Sequence, residues 1–354
     1  MTTTALVLIL LSILVTLLSL LSSIRSDVWW IRIWDFPRLQ VLCATFLLLT
    51  AVVYFADAVG PLTPALAAVL LLGALYQAYM IYPYTALARA QVLRSRDKRP
   101  GERVRLLFAN VLMTNRNSAR LIEIIRAIDP DIIMAAETDE WWAGELAGLE
   151  ASHRYSVIYP LGNTYGMVLY SRLELVDAEV KFLVEDDIPS IHATVRLPGG
   201  STFELRCLHP RPPFPTEDAS ATARDAELLI VGRESKIKSE PFVVMGDLND
   251  VAWSRTNYLF QDISGLLDPR VGRGFYNTFH AKLPLVRFPL DHFFVSSHFR
   301  LARFTRLPYF GSDHFPVFIE LSFEPDAIAE QPPLSAEPDQ IVEAFEKIDK
   351  ARAA

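Results

Sequence analysis

Three long apolar stretches near the amino terminus constrain the fold of this chain more than any other feature. They cover residues 5–24, 39–59 and 64–87, and the first contains no charged residue. A helix of roughly 20 residues, rising about 1.5 Å per residue, crosses the ~30 Å apolar core of a bilayer. The mean hydropathy of +0.23 for the whole chain agrees with this. We therefore predict a membrane region over residues 1–88 with three transmembrane helices.

The first stretch has one alternative interpretation, a cleavable signal peptide. No basic residue precedes it, and two further apolar stretches follow, which favours a permanent anchor. The third stretch ends in an aromatic group that is typical of a membrane–water boundary, namely Tyr76, Tyr79, Tyr82 and Tyr84.

The positions of the basic residues predict the orientation in the membrane. Arg25, Arg32 and Arg38 separate the first two stretches, and residues 89–105 are again rich in lysine and arginine. With three spans both basic segments lie on one side, and the positive-inside rule places that side in the cytoplasm. We expect an integral protein of the inner or plasma membrane whose remaining part is cytoplasmic.

The rest of the chain divides into three parts by composition. Residues 89–102 form a basic juxtamembrane linker, in which the charges are either a topology signal or a contact for anionic lipids. Residues 103–323 have a globular pattern long enough for one large core, and we expect them to fold without the membrane region. Residues 324–354 are acidic and rich in proline, which favours disorder with a short helix near 339–351.

The globular region alternates apolar runs with turn residues. Helical spacing of leucine and isoleucine predicts a helix over Ser118–Ile128, ending before Pro130, and a second helix is expected over 219–235. Short apolar runs predict strands over 104–108, 132–134, 155–159, 166–170, 191–197, 203–208 and 241–245. Many strands with few helices predict an α/β fold, a four-layer sandwich of two packed β-sheets flanked by helices.

Polar clusters follow several of the predicted strands. Glu137 comes after the strand at 132–134, His209 after 203–208, and the Gly-Asp-Leu-Asn segment 246–249 after 241–245, while Ser312, Asp313 and His314 form a fourth cluster. Polar residues just beyond strand ends are where open sheets commonly place their chemistry. Taken singly, each cluster is also compatible with an ordinary turn or a solvated loop.

Taken together, these motifs resemble the endonuclease/exonuclease/phosphatase superfamily, which includes deoxyribonucleases, abasic-site endonucleases, neutral sphingomyelinases and inositol-phosphate phosphatases. The resemblance extends over residues 103–323. The segments that carry it occur in family order: Asn110, residues 129–133 leading to Glu137, residues 166–171, His209-Pro210, residues 246–249, Leu290-Asp291 and residues 312–314. Two positions depart from the family pattern, Ala136 where glutamine is frequent and His292 where tyrosine is common. Neither change removes a catalytic group.

The resemblance implies a metal site and a set of catalytic groups. It assigns Glu137 as the principal ligand of Mg²⁺, with Mn²⁺ as the alternative ion, and Asn110 and Asp313 as further ligands or supports. It implies that Asp247 orients or deprotonates the attacking water and that Asn249 holds this water or a phosphate oxygen. His209 and His314 would donate hydrogen bonds to the phosphate, and Asp291 would fix the tautomer of His314.

The substrate stays open at this level, although a phosphodiesterase or nuclease is favoured. The globular region has no general basic excess, but arginines and one lysine gather late in the chain at positions 270, 273, 282, 287, 300, 303 and 306. A nucleic acid is one candidate, and a phospholipid or sphingolipid headgroup is the other, suggested by the membrane anchor. An inactive membrane scaffold is the remaining alternative, which the presence of all eight polar site residues disfavours. No protein partner follows from the sequence.

Overall fold

The amino-terminal part of the chain is helical. The computed structural model describes residues 2–96, 100–214 and 216–353. Its first helices are α1 (Thr3–Leu21), α2 (Trp29–Arg32), α3 (Arg38–Tyr54), α4 (Ala56–Val59) and α5 (Thr63–Ile81). The three long helices form a bundle in which Leu8, Val52 and Leu70 are buried against one another. Most other apolar side chains of these helices point outward, for example Leu47 and Leu72, which is the pattern expected of helices that face lipid.

Two helices within the described residues are long and apolar enough to cross a membrane. They are Thr3–Leu21 and the helical run Ala56–Tyr84. A third span results if Trp29–Asp35 and Arg38–Tyr54, which are bent by 69° relative to one another, count as one broken helix. The structure therefore contains two or three candidate spans where the sequence predicts three.

Two mixed β-sheets make up the centre of the globular region. The six-stranded sheet has the order β10-β11-β1-β2-β4-β3 and the five-stranded sheet the order β5-β6-β7-β8-β9. Their parallel pairs are β1 with β2 and β7 with β8, and the other neighbours are antiparallel. The strands are β1 (Arg103–Asn110), β2 (Ile132–Ala136), β3 (Tyr155–Tyr159), β4 (Met167–Ser171), β5 (Glu174–Lys181), β6 (Ser190–Arg196), β7 (Thr202–Leu208), β8 (Phe242–Asp247), β9 (Asp291–Val295), β10 (Phe299–Arg306) and β11 (Val317–Phe323).

Alternation along the strands builds the layers. In β1, Leu106 and Phe108 point into the core between the sheets, where they meet Phe203, Met245 and other residues of the second sheet. Their neighbours along the strand point the other way and pack under helices, because successive side chains of a strand face opposite sides. The result is the predicted four-layer α/β sandwich.

The outer layers are helices α6 (Ser118–Ile128), α7 (Glu140–Leu146), α8 (Thr222–Lys238) and α9 (Arg255–Ser264). Helix α6 has the predicted bounds, and it buries Leu121, Ile124 and Ile125 on the first sheet. On the second sheet, Val231 of α8 and Phe260 of α9 pack on strands β8 and β9. Both sheets are thus covered on their outer faces.

The segment that follows the predicted membrane region is packed against the globular part. Val92 is fully buried in the core between the sheets, and the backbone nitrogen of Ser95 donates to the carbonyl of Leu301 at 2.8 Å. Residues 89–96 of the predicted linker 89–102 are therefore part of the globular structure. Residues 97–99 of this linker, including Lys98 and Arg99, lie outside the described residues.

The carboxy-terminal segment is helical where the sequence composition favours disorder. Helix α10 (Pro338–Arg352) begins with a capping box of Glu337 and Gln340 and buries Ala344 and Ile348 against α8 and α9. The nitrogen of Lys347 lies 3.0 Å from the buried carboxylate of Asp225. The helix predicted near 339–351 is therefore present, and packing and this ion pair stabilise it in a segment whose composition favours disorder.

Candidate active site

The predicted site residues meet where strands of the two sheets end. Asn110 is the last residue of β1 and Asp247 the last residue of β8, and the Asn110 Nδ2 donates to Asp247 Oδ2 at 3.0 Å. Glu137 directly follows β2, and His209 directly follows β7. Because β1 and β2 are parallel, and likewise β7 and β8, the polar groups gather at one edge of the sandwich.

His314 lies between two carboxylates. Its Nδ1 is 3.1 and 3.0 Å from the two oxygens of Asp291, and its Nε2 is 3.4 Å from Asp247 Oδ2. All three side chains are buried. Burial lowers the pKa of His314, but the charges of Asp291 and Asp247 outweigh it and raise this pKa to about 10. His314 is therefore a cation at neutral pH, with an Nε2–H directed towards Asp247.

Asp247 is held by two further hydrogen bonds. Its Oδ1 accepts from the backbone nitrogen of Asn249 at 2.9 Å, and its Oδ2 accepts from Asn110. Burial raises the pKa of Asp247, against the opposing charge of His314. Gly246 has φ +153°, and a Cβ there would lie 1.8 Å from the carbonyl oxygen of Leu208, so a side chain has no room beside this aspartate.

Glu137 is a half-buried carboxylate that forms no ion pair among the described residues. Its oxygens accept hydrogen bonds from Asn110 Nδ2 at 2.8 Å and from the backbone nitrogen of Met113 at 3.3 Å. Burial raises the pKa of Glu137 to about 7, although the Asn110 bond opposes the shift. The backbone of Glu137 has φ +60°, a conformation that residues other than glycine seldom adopt. A carboxylate that forms no ion pair is a suitable ligand for a divalent metal.

The other two predicted metal ligands, Asn110 and Asp313, differ in how well they are placed to bind a metal. Asn110 directs its amide nitrogen at Glu137 and Asp247, and its Oδ1 accepts from the backbone nitrogen of Leu112 at 3.0 Å. In this arrangement its oxygen does not face the carboxylates, so metal binding through it requires the amide to turn. The half-buried Asp313 is close enough for its charge to raise the pKa of both Glu137 and His314.

Three acidic and histidine side chains have ligand atoms close enough to hold a metal, within 4.8 Å of one another. They are Asp247, Asp291 and His314, a different set from the predicted ligands. A histidine that binds a metal is neutral, whereas these two carboxylates favour the protonated imidazole of His314. The geometry of this group fits a hydrogen-bonded acid–base relay.

His209 and Asn249 complete the cluster. Burial lowers the pKa of His209, so its ring is neutral at physiological pH, and its Nδ1 has no hydrogen-bond partner within the described part of the chain. Asn249, at φ +51°, donates from its Nδ2 to the carbonyl of Pro210 at 3.0 Å. This bond ties the loop after β8 to the loop after β7, a positioning contact in addition to the predicted role at the phosphate.

Some contacts of the site could not be foreseen from its motifs. Ser312 donates from its hydroxyl to the carbonyl of Asn110 at 2.8 Å and accepts from the backbone nitrogen of His314 at 3.0 Å, which fixes the loop that carries His314. The ring of Phe279 lies 5.0 Å from that of His314. The hydroxyl of Ser312 was visible in the Ser-Asp-His motif, but nothing in the sequence marked Phe279.

The basic residues at positions 270–306 do not form a single cluster in the structure. Arg270 is buried in an ion pair with Asp268 at 2.7 Å, and Arg300 is buried in one with Glu324 at 3.2 Å. These two charges are neutralised within the protein. Arg287 and Arg306 instead both lie over the ring of Phe315, the residue that follows His314. The positive charge available to a substrate is therefore smaller and more local than the sequence indicated.

Comparison with known proteins agrees with this geometry. The family model described as the Endonuclease/Exonuclease/phosphatase family matches residues 107–314, more than half of the chain. No curated protein matches the chain.

Solved structures with the same fold include three that match this chain over nearly their whole length. D. rerio TDP2 complexed with a single-strand DNA product is 15% identical, with a TM-score of 0.54, and covers 62% of this chain and 99% of its own. The human Nocturnin catalytic domain with bound sulfate is 17% identical, with a TM-score of 0.52, and covers 68% and 99%. An endonuclease/exonuclease/phosphatase from Bacteroides vulgatus is 18% identical, with a TM-score of 0.50, and covers 63% and 99%.

Proposed function

The chain belongs to the endonuclease/exonuclease/phosphatase family, and we propose that it is a membrane-anchored, divalent-metal-dependent phosphodiester hydrolase. The observation that carries the proposal is the position of His314 between Asp291 and Asp247, with the half-buried Glu137 and the buried Asn110 beside them. This arrangement supplies a base, a cationic hydrogen-bond donor and a metal-binding carboxylate within one cluster.

Glu137 is the proposed principal metal ligand, with Asn110 and Asp313 as its supports. A bound Mg²⁺ or Mn²⁺ would neutralise charge on the phosphate oxygens. Asp247 is the group suited to orient the attacking water and take its proton, because its raised pKa makes it a better base than an exposed aspartate. The charged His314 and the neutral His209 have N–H groups that can donate to the phosphate oxygens as negative charge develops.

Two substrate classes fit this chemistry. A nucleic acid is the first, since the D. rerio relative of the same fold is complexed with single-strand DNA product. A lipid headgroup is the second, and one contact favours it: Gln40, at the start of a candidate membrane helix, donates to the carbonyl of Leu285 in a loop beside the site. The ion pairs of Arg270 and Arg300 leave fewer charges for a nucleic-acid backbone.

The test uses the full-length protein in detergent micelles or nanodiscs with Mg²⁺, Mn²⁺ or a chelator. Single- and double-stranded DNA, RNA, bis(p-nitrophenyl) phosphate and phospholipid vesicles are offered in parallel. We expect metal-dependent hydrolysis of at least one diester. Asp247→Asn should lose about 10³-fold or more of it, and the exposed control Asp186→Asn should retain it. Absence of hydrolysis by the wild type with either metal, or equal activity of Asp247→Asn, would overturn the proposal.

A further inference from the structure

An exposed apolar loop lies next to the candidate active site. In residues 282–287, the side chains of Leu283, Leu285 and Val286 are 50%, 84% and 45% exposed. Removing these apolar side chains from water would be favourable. Three such side chains within four residues form a patch, and exposed apolar patches commonly mark a contact surface.

This loop touches a helix that we propose to cross the membrane. The Nε2 of Gln40, in the first turn of α3, donates to the carbonyl of Leu285 at 2.9 Å. Immediately after the loop, the ring of Phe288 packs edge-on against Phe36 with ring centroids 5.4 Å apart, and Leu39 packs in the same cluster. The loop is therefore fixed beside the beginning of α3.

The end of α1, the beginning of α3 and the end of α5 all lie close together beside this loop. Arg38, at the start of α3, donates to the carbonyl of Ser22 just after α1 at 3.0 Å and to Gln77 Oε1 near the end of α5 at 3.1 Å. On the outside of α5 at the same end, Tyr79 is 75% exposed. Buried polar groups inside and an exposed tyrosine outside are typical of the membrane–water interface. In a membrane-anchored protein, Leu285 would lie close to this interface.

The residues just before this loop connect it to the candidate active site. The backbone nitrogen of Ala281 donates to the carbonyl of Asp313 at 2.6 Å. The backbone of Phe279 bridges both Phe288 and His314. Two short backbone pairings therefore separate the exposed apolar tip from the catalytic histidine.

The charges around the loop complement an anionic surface. The exposed Lys282 precedes the apolar tip and the half-buried Arg287 follows it. The guanidinium groups of Arg287 and Arg306 lie 5.1 and 4.3 Å from the centre of the Phe315 ring. No carboxylate pairs with either arginine in the part of the chain that the structure describes. Basic residues next to an apolar tip suit the headgroup layer of a membrane containing anionic lipids.

We propose that residues 282–287 dock on the bilayer, with Leu283, Leu285 and Val286 among the upper acyl chains, so that the active-site entrance faces the membrane surface. The occupant of the patch is lipid because the loop is bonded to the end of a candidate membrane helix and is flanked by basic residues. The inference rests on the membrane anchoring in the proposed function and does not require the proposed hydrolysis.

Site-specific fluorescence tests this docking in the full-length protein. Leu285→Cys is made in a Cys43→Ser background, where the remaining Cys207 is buried, and is labelled with an environment-sensitive fluorophore. The matched control is Ala178→Cys, exposed on β5 at the far edge of the second sheet. Both proteins are reconstituted into phosphatidylcholine/phosphatidylglycerol vesicles. We expect the label at 285 to be quenched by lipids with a nitroxide high in the acyl chain and protected from iodide. The label at 178 should behave oppositely.

Two results would overturn the docking. One is iodide accessibility at 285 equal to that at 178. The other is an apolar emission at 285 that lipid nitroxides do not quench, which would indicate a protein contact instead. Quenching at 285 in a protein that hydrolyses no diester would leave the docking intact and remove the proposed function.

A second variant links the docking to substrate access. Leu283→Ser/Leu285→Ser changes only exposed side chains and should leave hydrolysis of the soluble bis(p-nitrophenyl) phosphate within about twofold of the wild type. In a Val286→Cys version of this variant, quenching of the label by lipid nitroxides should fall, because the tip has lost most of its apolar surface. Unchanged quenching at 286 would show that these leucines do not hold the loop in the bilayer.

Discussion

Arg32 donates a hydrogen bond to the carboxylate of Asp250 at 3.0 Å, and both side chains are buried. Arg32 lies between the first two apolar helices, whereas Asp250 follows the proposed catalytic segment that contains Asp247. Arg224 lies 3.1 Å from the same carboxylate and donates to the carbonyl of Asn249 at 2.8 Å. The predicted membrane region and the proposed catalytic loop therefore share one buried network of charges.

We expect Arg32→Gln to lower both stability and activity. The change removes charge-assisted bonds to Asp250 and Thr256 and should cost about 1–3 kcal/mol. The melting temperature and the hydrolysis rate of the full-length protein measure the two effects. Arg25→Gln, at an exposed position in the same segment, is the control. Equal losses in both variants would show that the Asp250 contact is not the cause.

The deletion of residues 1–88 should destabilise the globular region, contrary to the sequence-based expectation that this region folds alone. Ile81 and Tyr84 are buried in one cluster with Trp253, Phe288 and Leu290, and the Tyr84 hydroxyl donates to the carbonyl of Ala252 at 2.6 Å. Their removal exposes large aromatic side chains next to the site. Size-exclusion chromatography should show aggregation of residues 89–354. A monomeric fragment that melts at the temperature of the full chain would contradict this.

The strand ends of the site could be predicted because each polar cluster follows a continuous apolar run. The amphipathic spacing of α6 likewise gave its bounds. Helix α9 was not predicted, because it buries Thr256, Asn257 and Gln261 as well as apolar residues, and a hydrophobic pattern is then lost. Buried polar helices depend on partners that only the fold brings together.

Long-range ion pairs explain the other differences between sequence and structure. Lys347 pairs with Asp225, and Arg300 with Glu324 and Glu330, in contacts that connect the late chain to the sandwich. The sequence does not reveal such ion pairs, so these charged residues were predicted to be available to solvent or to a substrate. Both the prediction of disorder after residue 323 and the prediction of a basic cluster were made without these ion pairs.

We expect Asp291→Asn to make hydrolysis more sensitive to alkaline pH. The substitution removes a carboxylate that helps to raise the pKa of His314 to about 10, so this pKa should fall towards its ordinary value of 6.5. At pH 8 a larger fraction of the histidine is neutral in the variant than in the wild type, because only Asp247 and Asp313 still raise its pKa, and we expect a loss of about tenfold or more. The ratio of wild-type to variant kcat/KM, measured from pH 6 to 9, should therefore rise with pH.

The stability of the same variant provides an independent readout. A histidine with a raised pKa in the folded state stabilises the protein fully below about pH 6.5, and this contribution is lost as the pH rises through about 10. The difference in melting temperature between wild type and Asp291→Asn should thus be greatest at neutral to acidic pH and shrink towards pH 10. A difference that does not vary with pH would argue against a charged His314.

Binding of Mg²⁺ should strengthen as the pH rises through about 7. Without metal, burial raises the pKa of Glu137 from 4.5 to about 7, so this group makes folding less favourable as the pH rises between these values. A bound cation favours the ionised form, and protons compete with it at lower pH. The rise in melting temperature on adding Mg²⁺ should be larger at pH 8 than at pH 6, and Glu137→Gln should abolish it. A Mg²⁺ effect that persists in Glu137→Gln would place the metal elsewhere.

Gly246→Ala should be far more damaging than the same change at Gly200. Both glycines have positive φ, +153° and +95°, but a Cβ at Gly246 would meet the Leu208 carbonyl oxygen at 1.8 Å, whereas none of the surrounding atoms lies within 4 Å at Gly200. Gly200→Ala therefore carries only backbone strain, about 1 kcal/mol. Gly246→Ala must also separate β7 from β8, at about 3 kcal/mol or more, and displace Asp247 from Asn110. Thermal unfolding and hydrolysis of bis(p-nitrophenyl) phosphate compare the two. Equal effects would mean that the loop after β8 can shift without disturbing the site.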